Sequence, residues 1–192
     1  MTDLGPVAWP PDPIRTERLV LRAPRAGDRA AFIELLASPE VGTYLGGPRP
    51  REELERAVPE VPGQRPGVRD RSRRSADRHG HARSARRGAT GTPRSGRGEA
   101  ELGYMFLPWA WGRGYATEAC AAALGWFADV FPGEPVVLCT QTANGRSTRL
   151  AAKLGFTEVE RFEEYGAEQW FGVWSPPTSP APPTSPRTGE EP

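Results

Sequence analysis

The order of apolar and polar residues predicts alternating strands and helices in the second half of the chain. Apolar side chains recur at three- and four-residue steps after Arg113, which predicts a helix with one buried face. Alternating and aromatic residues at positions 100–107 predict a strand directly before it. An unbroken apolar run at residues 135–141 predicts a strand inside a covered sheet.

The first third of the chain predicts one strand and two helices. Residues 19–23 alternate as a strand, and Asp28 is the expected N-cap of the helix that follows. A short second helix is expected to begin near Arg51. The first of these helices buries a stripe of three apolar side chains, namely Phe32, Leu35 and Leu36.

The last third predicts a helix and a hairpin. The helix starts at Asn144 or Ser147 and ends at Gly155, and residues 157–165 and 169–175 alternate like two paired strands. Strands that alternate with helices around a buried strand predict a mixed α/β domain of the α+β class, in which helices cover a mixed sheet.

Composition predicts one domain between two loose ends. Residues 1–13 are predicted to be flexible, residues 14–174 to form a single domain, and residues 175–192 to be a disordered, Pro-rich tail. Cys120 and Cys139 lack metal-ligand spacing, so we expect buried thiols and no metal. No apolar run reaches a membrane-spanning length and no signal-peptide pattern is present, so we expect a cytoplasmic protein.

Residues 62–98 form a basic segment that does not suit the domain around it. The segment has eleven arginines against two aspartates, a local charge of +9, whereas the rest of the chain carries −8. It contains no Ile, Leu, Met, Phe, Tyr, Trp or Cys, so it is predicted to be disordered. A basic arm for nucleic acid is one interpretation. The interpretation we prefer is a local reading-frame error in the gene.

The genetic code is compatible with such an error. One permitted codon choice for residues 77–88, read one nucleotide later, encodes an alternating strand and a polar turn. The hypothesis predicts two compensating shifts, near Pro62 and near Gly98. Resequencing that found an intact frame across the segment would refute it.

The predicted strand and helix after residue 100 are joined by a turn with two glycines, Gly112 and Gly114. Glycine weakens a helix start unless the bare backbone is used. The first N–H groups of a helix lack partners and carry the positive end of its dipole, so glycines there let a phosphate or pyrophosphate approach closely. The chain has no P-loop and no dinucleotide fingerprint. Taken alone, the turn suits an anion cradle and a ligand-free loop equally well.

Three separated stretches read RTERLVLRAP, ELGYMFLPWAWGRGYATEA and NGRSTRLAAKLGFTEV. They resemble, in order and spacing, the GNAT N-acetyltransferases, and most of all the branch that includes the ribosomal-protein-alanine N-acetyltransferases. The resemblance covers residues 14–61 and 99–174. It implies a central mixed, mostly antiparallel sheet with a V-shaped split and helices on both faces. It also implies a bacterial enzyme that transfers an acetyl group from acetyl-CoA to a primary amine, on a protein N-terminus or a small molecule.

The same resemblance implies roles for particular residues. Glu101 is the implied catalytic base, and Ser147 the implied catalytic partner of the departing thiolate. No metal is implied, and acetyl-CoA, the co-substrate, lies in the split of the sheet. The residues implied to bind it are Tyr104, Met105, Phe106, Trp111, Gly112, Arg113, Gly114, Tyr115, Ala116 and Asn144.

Each of these roles has a purely structural alternative. Glu101 also suits a solvated carboxylate at a strand start, and Glu118 suits a first-turn acid favoured by the helix dipole. Asn144 and Ser147, outside the family context, suit ordinary helix caps. Trp111 suits a packing residue.

The family places two central antiparallel strands where residues 62–98 stand. Without them strand edges are exposed, so we expect the chain as written to be unstable or inactive, although the acyl-CoA motif survives. A catalytically inactive acyl-CoA-binding remnant is therefore the alternative, and a nucleic-acid-binding module ranks last. The expected partners are acyl-CoA and an amine acceptor, without a membrane; a homodimer is left open.

Overall fold

A computed structural model describes residues 11–62 and 100–177 of the protein. The predictions for residues 1–10, for nearly all of the basic segment and for residues 178–192 lie outside the described residues. Within the described part, strands and helices follow the predicted order. The strands are β1 (Ile14–Arg15), β2 (Val20–Leu21), β3 (Ala100–Glu101), β4 (Val136–Gln141), β5 (Thr157–Glu164) and β6 (Ala167–Trp174). The helices are α1 (Arg29–Ala37), α2 (Pro39–Gly42), α3 (Arg51–Ala57), α4 (Tyr115–Val130) and α5 (Gly145–Lys153).

Four of these strands form a mixed sheet in the order β3-β4-β6-β5. β3 runs parallel to β4, whereas β6 is antiparallel to both of its neighbours. The strand predicted at residues 19–23 is shorter than expected and pairs with β1 in a separate antiparallel hairpin. The predicted α+β class with a mixed, mostly antiparallel sheet is confirmed.

The core of the sheet confirms the buried strand. Val136 and Leu138 share one face of β4 and pack in one cluster with Leu124 of α4, Ala151 of α5 and Trp170 of β6. The next residue on the opposite face, Val137, is also buried. An apolar run with both faces covered is the pattern expected of a strand inside a layered domain.

A second core cluster joins α1 to α3. Ile33, Leu54 and Val58 are its buried residues, and Phe32 and Leu36 pack against it. Two of the three predicted residues, Phe32 and Leu36, thus contact this cluster, but its buried member on α1 is Ile33 and not Leu35, which is half-buried. A short helix with apolar residues at several neighbouring positions does not by itself fix which of them is buried, because the packing of the partner helix decides this.

Asp28 occupies the predicted N-cap position of α1, but its side chain makes no cap hydrogen bond to that helix. Its carboxylate instead accepts from the Arg22 guanidinium at 2.7 and 2.9 Å and from the Arg25 backbone N–H at 2.8 Å. The hydrogen bond from Arg22 is the main cause that lowers the pKa of Asp28. Asp28 ends a short 3-10 turn (Ala26–Asp28) with a helical backbone, φ −86° and ψ −8°, so its carboxylate closes that turn and pairs with Arg22 and does not cap α1.

The predicted C-terminal hairpin is confirmed as β5 and β6. Its two-residue connection has positive φ at Tyr165 (54°) and Gly166 (74°), as a type I′ turn requires. The buried amide of Gln169 donates to the carbonyls of Glu164 and Ala167 at 3.1 Å each, which ties the end of the hairpin together.

The parallel pair of strands separates soon after it forms. β3 pairs with β4 through Ala100 and Glu101, and the Leu102 N–H donates to the Val137 carbonyl at 2.9 Å. Among the described residues, no further ladder pair joins positions 103–107 to β4, which continues to Gln141. The predicted strand at residues 100–107 is thus a strand only at its start. Residues 103–107 therefore have no ladder pairing with β4, which is the arrangement that a V-shaped split requires.

Candidate functional site

The turn before α4 exposes backbone rather than side chains. Gly112 and Gly114 have φ of 72° and 81°, a region that glycine enters without steric cost. Gly114 is the N-cap of α4 and has no side chain to cap it, so the helix predicted from Arg113 begins at Tyr115. In the described part of the chain, the first backbone N–H group of this helix with a carbonyl partner is that of Glu118, which donates to the Gly114 carbonyl at 3.0 Å. The preceding N–H groups are the orphan donors of a helix start.

The same turn is open to a ligand. Gly112, Arg113 and Gly114 are exposed, and a Cβ atom built on Gly112 would meet no atom within 4 Å. The turn lies at the positive end of a 16-residue helix, where backbone donors and the helix dipole both favour an anion. These features suit the predicted pyrophosphate cradle chemically.

An arginine that the sequence analysis did not single out lies beside this turn. The guanidinium of Arg146 is 4.6 Å from the centre of the Trp111 ring, within the range of a cation–π contact. The Trp111 indole N–H in turn donates to the Phe106 carbonyl at 2.7 Å and fixes the ring against the diverging strand. None of the ion pairs formed by the described residues uses Arg146 or Arg113. Arg146 stands two residues after Asn144, and that position in the first turn of α5 was the available signal.

The start of α5 faces the diverging strand from the other side of the split. The Asn144 side-chain oxygen accepts from the Ser147 N–H at 3.2 Å, so Asn144 is the N-cap of α5. Ser147 is buried, and its hydroxyl lies 2.7 Å from the hydroxyl of Tyr104. The structure therefore brings Tyr104, Asn144 and Ser147 together across the split.

Burial raises the pKa of Tyr104, and the hydrogen bond with Ser147 opposes that effect in part. A raised pKa keeps the phenol protonated at neutral pH, so the hydroxyl pair retains both of its protons. Either oxygen can be the donor in this contact. The pair is therefore a neutral hydrogen-bonded bridge between the strand and the start of α5.

The other predicted site residues have different surroundings. Glu101 lies on β3 opposite Val137 and is half-buried, and no hydrogen bond within the described residues joins it to Ser147. Met105 is 36% exposed, and the Phe106 ring lies 6.4 Å from that of Tyr104. Glu101 and Ser147, the two predicted catalytic residues, thus stand on different elements, β3 and α5.

Two further observations concern the whole described region. No helix in residues 11–62 or 100–177 is long and apolar enough to cross a membrane. In the same residues, no three His, Cys, Asp or Glu side chains gather as a metal site would require.

Comparison with known proteins agrees with this architecture. A model of the acetyltransferase (GNAT) domain matches residues 18–157. The chain resembles the structure of an acetyltransferase of the GNAT family from Bacillus anthracis with 16% identity and a TM-score of 0.57, over 85% of this chain and 98% of that one. It also resembles an acetyltransferase from Agrobacterium tumefaciens str. C58 with 20% identity and a TM-score of 0.54, over 88% and 96% of the two chains. At these identities the likeness concerns the fold. A search of curated proteins found no match.

The described residues therefore have the mixed α+β fold of GNAT acetyltransferases. The chain belongs to the GNAT acetyltransferase family, because the family model covers more than half of its length.

Proposed function

We propose that this protein is an acetyl-CoA-dependent N-acetyltransferase that acts on a primary amine, of the type found in the ribosomal-protein-alanine branch. The observation that carries the proposal is the exposed turn of Gly112 and Gly114 at the start of α4, beside the split between β3 and β4. A helix start with bare glycine backbone accommodates a diphosphate, and a split sheet leaves strand N–H and C=O groups for an extended ligand.

The residues at the turn divide the binding of coenzyme A between backbone and side chains. The N–H groups from Gly112 to Ala116 donate to the pyrophosphate, while Arg113 adds a cation. The backbone of residues 104–107 pairs with the pantetheine arm, because β4 has left it without a partner strand. Asn144 contacts the arm from the start of α5. The co-substrate supplies the activated acetyl thioester.

The transfer itself is a direct attack. The amine nitrogen forms a bond to the thioester carbonyl carbon, and the carbon–sulfur bond breaks. A strand N–H group stabilises the negative charge on the carbonyl oxygen. Glu101 accepts the proton that the amine loses, through water. The Ser147 hydroxyl donates a hydrogen bond to the departing thiolate, and Tyr104 holds that hydroxyl in place.

Two measurements on the 192-residue protein test this proposal. Isothermal titration calorimetry with coenzyme A measures binding at the turn. Release of free thiol from acetyl-CoA, over a panel with an alanine-terminated peptide and small primary amines, measures transfer and identifies the acceptor. Binding with amine-dependent release supports the proposal and contradicts the expectation that the chain as written is inactive. Binding without release from any acceptor identifies the acyl-CoA-binding remnant instead. Absence of binding refutes both.

A further inference from the structure

The first of the three stretches that carry the family resemblance, RTERLVLRAP, packs against the start of α4 and has no role in the proposed reaction. The turn between β1 and β2 places Thr16 and Arg18 against the carboxylate of Glu118. The Thr16 hydroxyl donates to Glu118 Oε1 at 2.5 Å, the Arg18 backbone N–H donates to the same oxygen at 2.8 Å, and the Arg18 Nε donates to Oε2 at 2.7 Å. Glu118 is therefore more than a first-turn acid, because it anchors the N-terminal hairpin to α4.

Arg18 also reaches the glycine turn itself. Its Nη1 donates to the carbonyl of Arg113 at 2.9 Å. Its guanidinium carbon lies 4.8 Å from the centre of the Tyr115 ring. Its Nη2 lies 3.3 Å from the position that a Cβ atom on Gly114 would occupy. One side chain thus contacts Arg113 and Tyr115, the residues on either side of Gly114.

The backbone of this turn needs such a contact. Glycine at position 114 leaves the Arg113–Gly114 peptide free to rotate at low cost. In a planar trans peptide the C=O and N–H groups point in opposite directions. While Arg18 holds the Arg113 carbonyl, the N–H of Gly114 is directed to the other side. A rotated peptide would present a carbonyl oxygen to the anion and repel it.

We propose that Arg18 is a positioning residue for coenzyme A, which locks the Arg113–Gly114 peptide with its N–H group available to the pyrophosphate. The inference rests on the proposed function and adds to it a requirement outside the glycine turn. The side chain of Glu118 contributes by holding Arg18, through the 2.6 Å ion pair between its Oε2 and Nη2 of Arg18.

The N-terminal segment offers a matched control. The guanidinium of Arg22 donates hydrogen bonds to the carboxylate of Asp28 at 2.7 Å and to the carbonyl of Ala23 at 2.9 Å. Its side chain is 32% exposed against 44% for Arg18. The groups that Arg22 bonds lie outside the glycine turn. Arg22→Gln therefore removes a comparable set of bonds without touching the proposed site.

The experiment compares four proteins, the unsubstituted chain, Arg18→Gln, Arg18→Lys and Arg22→Gln. Calorimetry with coenzyme A gives the affinity, thermal unfolding by circular dichroism gives the stability, and initial rates give KM for acetyl-CoA and for the amine. Arg18→Gln should weaken coenzyme A binding by at least about 10-fold, as loss of a hydrogen bond with a charged partner allows. Its KM for acetyl-CoA should rise while its KM for the amine stays unchanged. Arg22→Gln should shift the melting temperature similarly and leave affinity unchanged.

Arg18→Lys separates the lock from simple charge. Lysine keeps the positive charge beside Glu118, but its single nitrogen cannot hold the carboxylate and the Arg113 carbonyl in the same fork geometry. It should restore stability and leave affinity reduced, and it carries the test if Arg18→Gln does not fold. Affinity in Arg18→Lys equal to that of the unsubstituted chain overturns the inference, as does equal weakening in Arg22→Gln. If the unsubstituted chain binds no coenzyme A, the proposed function fails and the inference fails with it.

Discussion

Replacement of Gly114 by alanine tests the proposed anion site through a single methyl group. Gly114 has φ of 81°, and its added Cβ would lie 3.3 Å from the Nη2 atom of Arg18. Gly133, in the turn after α4, has φ of 82° and nothing within 4 Å of an added Cβ. Both substitutions impose the same left-handed backbone on alanine, at a cost of about 1–2 kcal/mol. Only at Gly114 does the added methyl group also press on Arg18, whose Nη2 atom must shift by a few tenths of an ångström.

We therefore expect Gly114→Ala and Gly133→Ala to lose about 1–2 kcal/mol of unfolding free energy each, measured by urea denaturation. Affinity for coenzyme A, measured by calorimetry, should separate them. The methyl group crowds the guanidinium that holds the Arg113 carbonyl, which weakens a charge-assisted hydrogen bond of about 1.5–3 kcal/mol, so Gly114→Ala should bind coenzyme A about 10-fold more weakly. Gly133→Ala should bind normally. If both variants bind coenzyme A as the unsubstituted chain does, the turn at Gly114 is not the anion site.

Three further predictions follow from single contacts. Tyr104→Phe removes the hydroxyl that bonds Ser147 and should lower kcat about 10-fold at unchanged KM for acetyl-CoA. Tyr165→Phe is the control, because Tyr165 is 80% exposed and its variant should keep full kcat. Equal kcat in the two variants would show that the hydroxyl bridge does not contribute to the reaction. Burial raises the pKa of Cys120 to about 12, so iodoacetamide near neutral pH should label this thiol only after unfolding. Mass spectrometry of the treated native protein should find Cys120 unlabelled, and rapid labelling would contradict the packing of α4. The hydrogen bond from Thr16 lowers the pKa of Glu118 below its ordinary value of 4.5, so its stabilisation is present above about pH 4.5 and lost as the pH falls. The melting temperature of the unsubstituted chain should therefore fall as the solution is made acidic, and that of Glu118→Gln should fall less steeply. Identical melting temperatures of the two proteins across the acid range would show that this carboxylate does not contribute to stability.

Local sequence sufficed for the parts of the fold whose causes are local. The apolar run of β4, the spacing of α4 and the Asn144 cap of α5 each depend on neighbouring residues, and each begins within two residues of the predicted position. Alternation alone predicted the hairpin of β5 and β6, because paired strands that are neighbours in the sequence need only a short turn to set their register. The glycine turn could also be recognised from local sequence, because a left-handed backbone at Gly112 and Gly114 favours glycine.

Other features depend on residues that are far apart in the sequence. The strand expected over residues 100–107 ends early because its partner β4 diverges, and pairing is a property of two strands. Asp28 closes a 3-10 turn and pairs with Arg22, so it does not cap α1. Ile33 is the buried residue of α1 because the packing against Leu54 of α3 selects which side of the helix is covered.

The sequence by itself determined the order of elements, the glycine turn and the residue types available for an acyl-CoA site, since backbone conformation and hydrophobic period act over a few residues. Only the tertiary structure decided which of those residues meet. It brought the hydroxyl of Tyr104 to Ser147 across 43 positions, and Arg18 to the carbonyl of Arg113 across 95. The physical reason is that such contacts arise when buried faces pack, and the geometry of packing is a property of the whole core.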